Sequence, residues 1–343
     1  MEDSLKQLID SSAKILVTSH ISPDIDAVSS SLLVANSLRE NYSDKIIDLV
    51  LEELPNQELE FLEGYSTIKN KNLASFVESE APNLIIIVDA SKFSRSSRNE
   101  GEKLAQLVKE RGIKVAIIDH HESADKDDSD VYINDSYPAA SQQVYHTLFD
   151  KLNLKKPAGY GEATLLGLLS DTLRFKYKNA KHRETFALVN DLIDVGIDIE
   201  YLENKLETYS KDQLEVIAHL ITNLQTGNGY NYSFISDSFA DQWQQSGKDP
   251  SGLKGGAAIF VNQFIRNIEP NNWGFLVSRE VIPSELNYSV SFRAEGGSKA
   301  VSELAKLLGG GGHEAAAGAK FHAVSILDAV DKVLAVVENT SNS

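Results

Sequence analysis

The sequence predicts an α/β protein: a mostly parallel, doubly wound sheet domain, linked by a helix to a smaller α/β C-terminal domain, with an active site in the cleft between them. In the first half of the chain, near-continuous apolar runs alternate with amphipathic helical stretches, a pattern typical of parallel strands covered on both faces. Helical patterns then dominate from Ser141 to about Thr226. Beyond the turn residues that follow Thr226, new strands begin.

The individual elements follow in chain order. Strands are predicted at Lys14–His20, Lys45–Leu51, Leu84–Asp89, Val115–Asp119 and Val131–Asn134, with helices near Ala27–Glu40, Glu100–Arg111, Gly161–Asp171 and Tyr201–Gln225. Strands at Tyr230–Ser236, Gly274–Arg279 and Asn287–Ala294 come next, with helices near Ala257–Asn267 and Ser298–Leu308. A last strand and helix follow a run of four glycines. We therefore place the first domain at residues 1–200, a helical linker at 201–226 and the second domain at 227–343.

Composition restricts the function. The net charge of −17 argues against binding to long duplex DNA, which needs a basic surface. A small phosphorylated substrate stays compatible with this charge, because bound cations can reverse the local sign. The chain has no cysteine, so a metal would be held by His, Asp or Glu, which favours Mn²⁺, Mg²⁺ or Zn²⁺. No apolar run approaches the roughly 20 residues that span a bilayer, and we expect a cytoplasmic protein without membrane contact.

One candidate site lies where the apolar run ending in Ile118 meets Asp119-His120-His121. If this run is a buried strand, one carboxylate and two imidazoles lie at its C-terminal edge, where open α/β sheets bind their ligands. By itself the triplet is a weak signal, since a chance surface triplet is about as common. Its weight comes from similar acid-rich positions elsewhere in the first domain.

Those positions also follow predicted strands or helices. His20, Asp24 and Asp26 lie in the loop after the first strand, where helix capping and a surface histidine are the alternatives. Asp89 closes an apolar strand, and a buried charge there must be paired or bind a metal, unless it caps the next helix. Asp171 ends an apolar helix, where the helix dipole disfavours a negative charge. A nearby cation would relieve that conflict, and an exposed turn residue is the alternative.

Charge balance connects these positions. If Asp24, Asp26, Asp89 and Asp171 converge, they bring four negative charges together, with histidines as neutral donors. Such a cluster repels itself and any phosphate. Two divalent cations would balance the four charges, and a shared aspartate could hold the cations about 3.5–4 Å apart. We therefore interpret the cluster as a two-metal site.

These motifs together resemble those of a known family. They are His20-x-x-Pro23-Asp24-x-Asp26, Val88-Asp89, Asp119-His120-His121, Ser170-Asp171-Thr172 and, near the C-terminus, Gly310-Gly311-Gly312-His313-Glu314-Ala315-Ala316-Ala317-Gly318. In this order they resemble the DHH phosphoesterase superfamily, in the branch with the DHH-associated C-terminal domain. That branch includes nanoRNase/pAp-phosphatase proteins and RecJ-like exonucleases. Ser29 and Leu173 depart from the pattern, since each stands where many relatives have glycine.

The resemblance implies a role for each matching residue. One metal ion is expected on His20, Asp24 and Asp89, and the other on Asp26, Asp89 as a bridge, His120 and Asp171. The ions are expected to be Mn²⁺, with Mg²⁺ or Co²⁺ as substitutes. His121 is expected to contact the scissile phosphate and assist the leaving oxygen, while Asp119 orients a histidine. A hydroxide held between the metals would attack phosphorus.

The second domain carries the expected substrate contacts. The resemblance implies that Arg293 reaches the substrate and that Gly310, Gly311, Gly312 and His313 contact it, because glycine N–H groups can form an anion-binding nest. The alternatives are a flexible helix terminator and a purely structural imidazole.

Two basic stretches follow the second and fourth motifs: Lys92, Arg95 and Arg98, then Arg174, Lys176, Lys178, Lys181 and Arg183. They either line a path for a short phosphate backbone or form a solvated helix face.

The first function hypothesis is a Mn²⁺-dependent phosphohydrolase or phosphodiesterase. Its expected partners are short single-stranded oligonucleotides or nucleotide phosphates: nanoRNA, pAp, or linear and cyclic dinucleotides. A soluble inorganic pyrophosphatase and a non-catalytic nucleotide sensor are the alternatives. A homodimer is compatible with the resemblance.

Overall fold

The computed structural model describes residues 2–55, 57–121, 129–176, 182–206, 208–279, 287–296 and 298–341. The chain divides into two compact units, Met1–Glu207 and Thr208–Ser343. This division lies inside the segment 201–226 that was predicted to be a linker.

The first unit is built on a parallel sheet of six strands. They are β1 (Lys14–Thr18), β2 (Ile46–Leu51), β3 (Ile68–Asn70), β4 (Leu84–Val88), β5 (Lys114–Ile118) and β6 (Val131–Ile133). Their order is β3-β2-β1-β4-β5-β6, and every neighbouring pair is parallel. The direction of strand addition reverses between β1 and β4. In open α/β sheets this switch point, at the carboxyl ends of the strands, is where ligands bind.

Helices cover both faces of this sheet. They are α1 (Glu2–Ser11), α2 (Ile25–Asn41), α3 (Leu73–Glu80), α4 (Phe93–Ser96), α5 (Gly101–Arg111), α6 (Ala140–Tyr145), α7 (Tyr160–Asp171), α8 (His182–Asp194) and α9 (Ile199–Leu206), with a π-helical turn at His146–Lys151 and 3₁₀ turns at Gln57–Leu59 and Tyr65–Thr67. Alternate residues of β4 enter two separate cores: Ile86 packs with residues of α2 and α7, and Ile85 and Ile87 pack with residues of α3 and α5. Because strand side chains alternate between faces, the predicted doubly wound sheet is confirmed.

The second unit contains a mixed sheet. Its strands are β7 (Gln225–Thr226), β8 (Asn231–Phe234), β9 (Trp273–Arg279), β10 (Asn287–Ala294), β11 (Gly311–His313) and β12 (Ala316–His322), in the order β11-β12-β10-β9-β8-β7. Its helices are α10 (Lys211–Thr222), α11 (Asp237–Gln245), α12 (Pro250–Gln263), α13 (Val301–Leu307) and α14 (Ile326–Ser341). β8 and β9 are parallel, and the other pairs are antiparallel. In β10, Tyr288, Val290 and Phe292 alternate with half-buried polar residues and join the core formed with α13 and α14.

Several sequence expectations differ from the structure, and β3, α1 and α3 were not predicted. The continuous helix over Tyr201–Gln225 is wrong: α9 ends at Leu206, and α10 begins after Ser210, whose side chain forms a capping box with Gln213. A capping box marks the start of a new helix. The prediction rested on hydrophobic periodicity, which does not detect such a break. A flexible helix terminator was one interpretation of the glycine run, yet part of the run forms strand β11. Across the described residues, no helix has the length and apolar character needed to cross a membrane.

Candidate metal centre

The candidate residues of the first unit all follow the carboxyl ends of strands or lie at helix ends. His20 lies two residues beyond β1, Asp89 follows β4 directly, and Asp119-His120-His121 follows β5. Asp24 precedes α2, where its side chain accepts a hydrogen bond from the Ala27 N–H at 3.0 Å and starts the helix. Asp171 is the last residue of α7. The fold therefore brings four sequence-distant motifs to the switch-point edge of one sheet.

The structure gathers these side chains into three groups with metal-ligand character. The groups are His20, Asp24 and Asp89; Asp26, His120 and Asp171; and Asp89, His120 and His121. Within each group, one candidate ligand atom per residue lies within 4.8 Å of the others. Every first-unit residue predicted to bind metal belongs to a group. Their role as metal ligands stays a prediction.

Asp89 is common to two groups, and its two oxygens face different histidines. Oδ2 lies 3.5 Å from His20 Nε2, whereas Oδ1 lies 3.3 Å from His120 Nε2 and 3.5 Å from His121 Nδ1. His120 Nε2 is also 3.2 Å from Asp171 Oδ2. The Asp89 side chain is buried, and its backbone has a left-handed φ of 58°, which Asp and Asn tolerate better than most residues. One carboxylate thus lies between two sets of ligands.

Backbone carbonyls set the tautomers of two histidines. His20 Nδ1 donates to its neighbour's carbonyl, Ile21 O, at 2.8 Å, and His120 Nδ1 donates to Tyr137 O at 3.3 Å. Each ring therefore presents Nε2 towards the carboxylates. A neutral imidazole with one N–H held by a carbonyl is the usual arrangement of a metal-bound histidine.

Asp26 is held more tightly than its motif suggests. Its side chain is fully buried, and its oxygens accept hydrogen bonds from the backbone N–H groups of Ala140 at 2.6 Å and Ser141 at 3.0 Å, at the start of α6. Gly167 of α7 packs directly against the Asp26 side chain. A Cβ at position 167 would therefore clash with Asp26 Oδ1 and Ser141 Oγ. Sequence reasoning missed both contacts. The only sequence signal was a glycine inside an apolar helix, which often marks close packing.

Asp119 contacts His121. It is fully buried, and its Oδ1 lies 2.8 Å from His121 Nδ1 while also accepting the His120 N–H at 2.9 Å. Asp119 therefore contacts both histidines that follow it, and its role of orienting one of them stays a prediction. His121 is more exposed than His120, with 28% of its side chain accessible against 11%. It is therefore the histidine of the pair that a substrate can reach more easily.

Without bound cations, protons on some of these side chains offset the negative charge of the carboxylates, because several pKa values in the cluster are raised. Burial, together with repulsion from Asp171 and Asp89, raises the pKa of Asp26 well above its usual range. Burial lowers the pKa of His20, but its hydrogen bond and attraction to Asp89 outweigh this effect and raise that pKa to about 9. Burial also lowers the pKa of His120, but the nearby carboxylates of Asp171 and Asp89 outweigh this effect and raise it well above its usual range. Divalent cations would take the place of these protons.

Two buried atoms test whether a metal fits. Among the described residues, Asp89 Oδ1 and His120 Nε2 are fully covered yet have no hydrogen-bond partner. They face each other at 3.3 Å, with angles that make no hydrogen bond. Buried polar atoms are nearly always satisfied, so an oxygen and a nitrogen left facing one another are suited to a shared cation. The donor set of carboxylates and imidazoles fits Mn²⁺ or Zn²⁺.

The residues predicted to bind substrate lie in the second unit. Arg293 on β10 pairs with Ala316 on β12, and His313 on β11 pairs with the same Ala316, so backbone register places the two in one row. Arg293 Nε donates to Asn262 of α12 at 2.7 Å. Gly310 and Gly312 pack against β12, where an added Cβ would clash, whereas Gly311 has open space. Substrate contact by these residues, and a cleft between the domains, stay predictions.

The two basic stretches are only partly available to a substrate. Arg98 is engaged by Glu53 and Arg174 by Glu203. Lys178 and Lys181 lie outside the described residues. For Arg98 and Arg174 the structure therefore favours a role within the protein over a free phosphate path.

A parallel sheet with carboxylates and imidazoles gathered at its switch point defines an α/β protein with a candidate two-metal centre. Residues 14–169 match the family model "DHH family, N-terminal domain". This match, which covers somewhat less than half of the chain, confirms the resemblance that the motifs of the first unit predicted.

Two of three comparisons with whole proteins extend over nearly the full length of this chain. The chain is 25% identical to a protein of Bacillus subtilis (strain 168) named bifunctional oligoribonuclease and PAP phosphatase NrnA, covering 94% of this chain and 93% of that protein. The chain is also 26% identical to a probable manganese-dependent inorganic pyrophosphatase of Streptococcus mutans, in an alignment that covers 55% of this chain and 57% of that protein. The crystal structure of an exopolyphosphatase-related protein from Bacteroides fragilis shares the fold, with a TM-score of 0.80 at 21% identity, covering 98% and 94% of the two chains.

Proposed function

We propose that this chain is a Mn²⁺-dependent phosphoesterase that hydrolyses short oligonucleotides and pAp. The observation that carries the proposal is the shared carboxylate of Asp89, whose two oxygens face His20 and His120 respectively. Similarity along nearly the full length to the Bacillus subtilis oligoribonuclease and PAP phosphatase supports the substrate class.

The proposal assigns one ion to His20, Asp24 and Asp89 and a second to Asp26, Asp89, His120 and Asp171. When bound, two divalent cations would lower the pKa of a water and neutralise the developing charge on a phosphoryl group. Manganese, with magnesium or cobalt as substitutes, suits these ligands.

The chain's own residues then bind, orient and move protons. Asp119 accepts from His121 Nδ1 and so fixes the orientation of the ring. We assign to His121 the contact with the scissile phosphate and the delivery of a proton to the leaving oxygen. Carbonyls hold His20 and His120 with Nε2 towards the carboxylates, which prepares the site before any ligand arrives. Preorganised groups of this kind supply much of an enzyme's rate enhancement.

The direct test is an activity panel with Mn²⁺ and three substrates: a dinucleotide, pAp and inorganic pyrophosphate. We expect the 5′-phosphorylated dinucleotide to be hydrolysed to two mononucleotides and pAp to AMP and inorganic phosphate, measured by chromatography, with little phosphate released from pyrophosphate. Preferred hydrolysis of pyrophosphate would favour the second candidate function, which the partial similarity to the Streptococcus mutans protein suggests. Binding of nucleotides without turnover would instead indicate a sensor.

The stability of the metal-free protein should fall as pH rises, and bound Mn²⁺ should offset this loss. The folded-state pKa of His20 is about 9, above its ordinary 6.5, so its stabilising contribution is complete below pH 6.5 and is lost as pH rises towards 9. We expect the metal-free protein to lose on the order of 3 kcal/mol over this interval. Because cations replace the proton, Mn²⁺ should raise Tm more at the upper end of the interval. Equal Tm shifts at both ends, measured calorimetrically against a chelator control, would contradict the assignment of His20.

A further inference from the structure

The loop that carries His20 and Asp24 is irregular and needs support. It connects β1 to α2, and within it Ser22 has a left-handed φ of 52°, a conformation that is unfavourable for a residue with a Cβ. Such strain persists where the surroundings hold the backbone in place. The contacts of this loop therefore show what keeps two candidate ligands in position.

Two hydrogen bonds leave the loop between its candidate ligands. The Ile21 N–H donates to Arg95 O at 2.6 Å, which joins the loop directly to the segment that follows Asp89. The Ser22 hydroxyl donates to Glu53 Oε2 at 2.7 Å. Glu53 comes two residues after β2, on the side of β1 away from β4.

Glu53 also reaches the segment after β4. Its Oε1 accepts from Arg98 Nε at 2.8 Å and from Arg98 Nη2, and the neighbouring Glu52 accepts the Arg98 backbone N–H at 3.2 Å. One carboxylate thus connects the segment after β2 to the loops that follow β1 and β4. In sheet order, β1 lies between the other two strands.

We propose that Glu53 is a positioning residue for one metal position: its bridge from Ser22 to Arg98 holds the loop residues His20 and Asp24 at the distance from Asp89 that a cation requires. The inference rests on the proposed two-metal function. The bridge makes no contact with Asp26, His120 or Asp171 among the described residues. Its effect should therefore be selective for one of two metal-binding steps.

Global stability depends little on this bridge. The Arg98 and Glu53 side chains are 54% and 30% exposed, and exposed ion pairs contribute little to folding. Removing the bridge should change the Tm of the metal-free protein by no more than about 3 °C. Outer groups that orient metal ligands typically alter metal affinity 10–100-fold. A change in affinity without a change in Tm thus distinguishes positioning from a structural role.

The experiment is a calorimetric titration of the metal-free protein with Mn²⁺. We expect two Mn²⁺-binding steps in the wild type. The step that is weakened in the His20→Ala variant is the one that depends on His20. Glu53→Ala should weaken that same step about tenfold or more and leave the other within about twofold. Glu53→Gln keeps an acceptor and should have a smaller effect. Arg98→Ala should weaken the same step, and the double variant should lose no more than the single variants.

Glu100→Ala is the matched control. The Glu100 side chain is 33% exposed and pairs with Lys103. The Glu100→Ala substitution therefore removes the same charge as Glu53→Ala, at similar burial, without touching the loop of His20 and Asp24. Both Mn²⁺-binding steps should stay unchanged in this variant. Equal weakening of both steps, no weakening, or an equal effect of Glu100→Ala would overturn the role of Glu53. A wild type that binds no Mn²⁺ would overturn the two-metal function as well, whereas two intact steps with a silent Glu53→Ala would overturn the positioning role alone.

Discussion

Asp89→Asn is expected to lower the turnover of a dinucleotide by at least about 10³-fold, or about 4 kcal/mol of transition-state stabilisation, while the protein stays folded. The reason is that both oxygens of Asp89 face candidate ligands, His20 on one side and His120 on the other. An amide replaces one oxygen with an N–H group, which cannot bind a cation, and removes the negative charge that a bridging position needs.

Asparagine is the right replacement at this position. Asp89 has a φ of 58°, and Asn shares with Asp the ability to adopt left-handed backbone, so the fold should tolerate it. Alanine would add backbone strain and confuse the result. Turnover and circular dichroism should be measured on the same preparation.

Asp48→Asn provides the comparison for Asp89→Asn. Asp48 is a buried carboxylate on β2 that pairs with Lys69 at 2.6 Å, away from the candidate centre, and its loss should leave turnover within a few-fold. If Asp89→Asn kept turnover within tenfold of the wild type, the shared-ligand role would be wrong.

Gly167→Ala is expected to reduce Mn²⁺ affinity and turnover about 100-fold, although alanine is the better helix former. A methyl group here would clash with Asp26 Oδ1 and Ser141 Oγ. Asp26 cannot simply move aside, because the backbone N–H groups of Ala140 and Ser141 hold it. Overpacking of this kind typically costs about 1–3 kcal/mol, so the Tm should fall as well.

Gly255→Ala is the matched helical control for Gly167→Ala. Gly255 lies in α12, and its added Cβ would meet the end of the Gln213 side chain, at 2.8 Å from Nε2, so the side chain that completes the capping box of α10 has to shift. This variant should therefore lose about 1 kcal/mol of stability and keep its Mn²⁺ affinity, since α12 contributes none of the candidate metal ligands. Unchanged Mn²⁺ affinity in Gly167→Ala would show that Asp26 does not bind the metal, or that Asp26 and the Ala140 and Ser141 N–H groups that hold it can shift to make room for the methyl group.

Five of the six strands of the first unit were predictable, because each combines an apolar run with a polar residue at its carboxyl end. Strand β3 was not predicted, since it is three residues long and two of them are exposed. The predicted Leu84–Asp89 differs from β4 by one residue, because Asp89 leaves the strand with a left-handed φ. The bounds of Tyr201–Gln225 were not predictable in this way. A capping box at Ser210 divides two amphipathic helices, and both halves keep the same periodicity.

Leu173 shows how a local departure can carry structural meaning. It was noted as a residue where relatives have glycine, and in the structure it has a φ of 47°, followed by Arg174 at 56° and Phe175 at 62°. Left-handed backbone at three successive positions with side chains is unusual. Sequence alone identified the unusual residue, but only coordinates reveal the conformation that makes it unusual.

By itself, the sequence determined the parallel α/β class, the four motifs and the identity of the candidate ligands, because these depend on local patterns: apolar periodicity and the residue types that end each strand. Only the tertiary structure decided which oxygen of Asp89 faces which histidine, which carbonyls orient His20 and His120, and which residues Gly167 and Glu53 contact. Those contacts join residues as far apart as Asp26 and Ala140. Several of the partners are backbone groups or a glycine, whose role depends on position in space, and the Glu53 contacts join side chains from three separate segments of the chain.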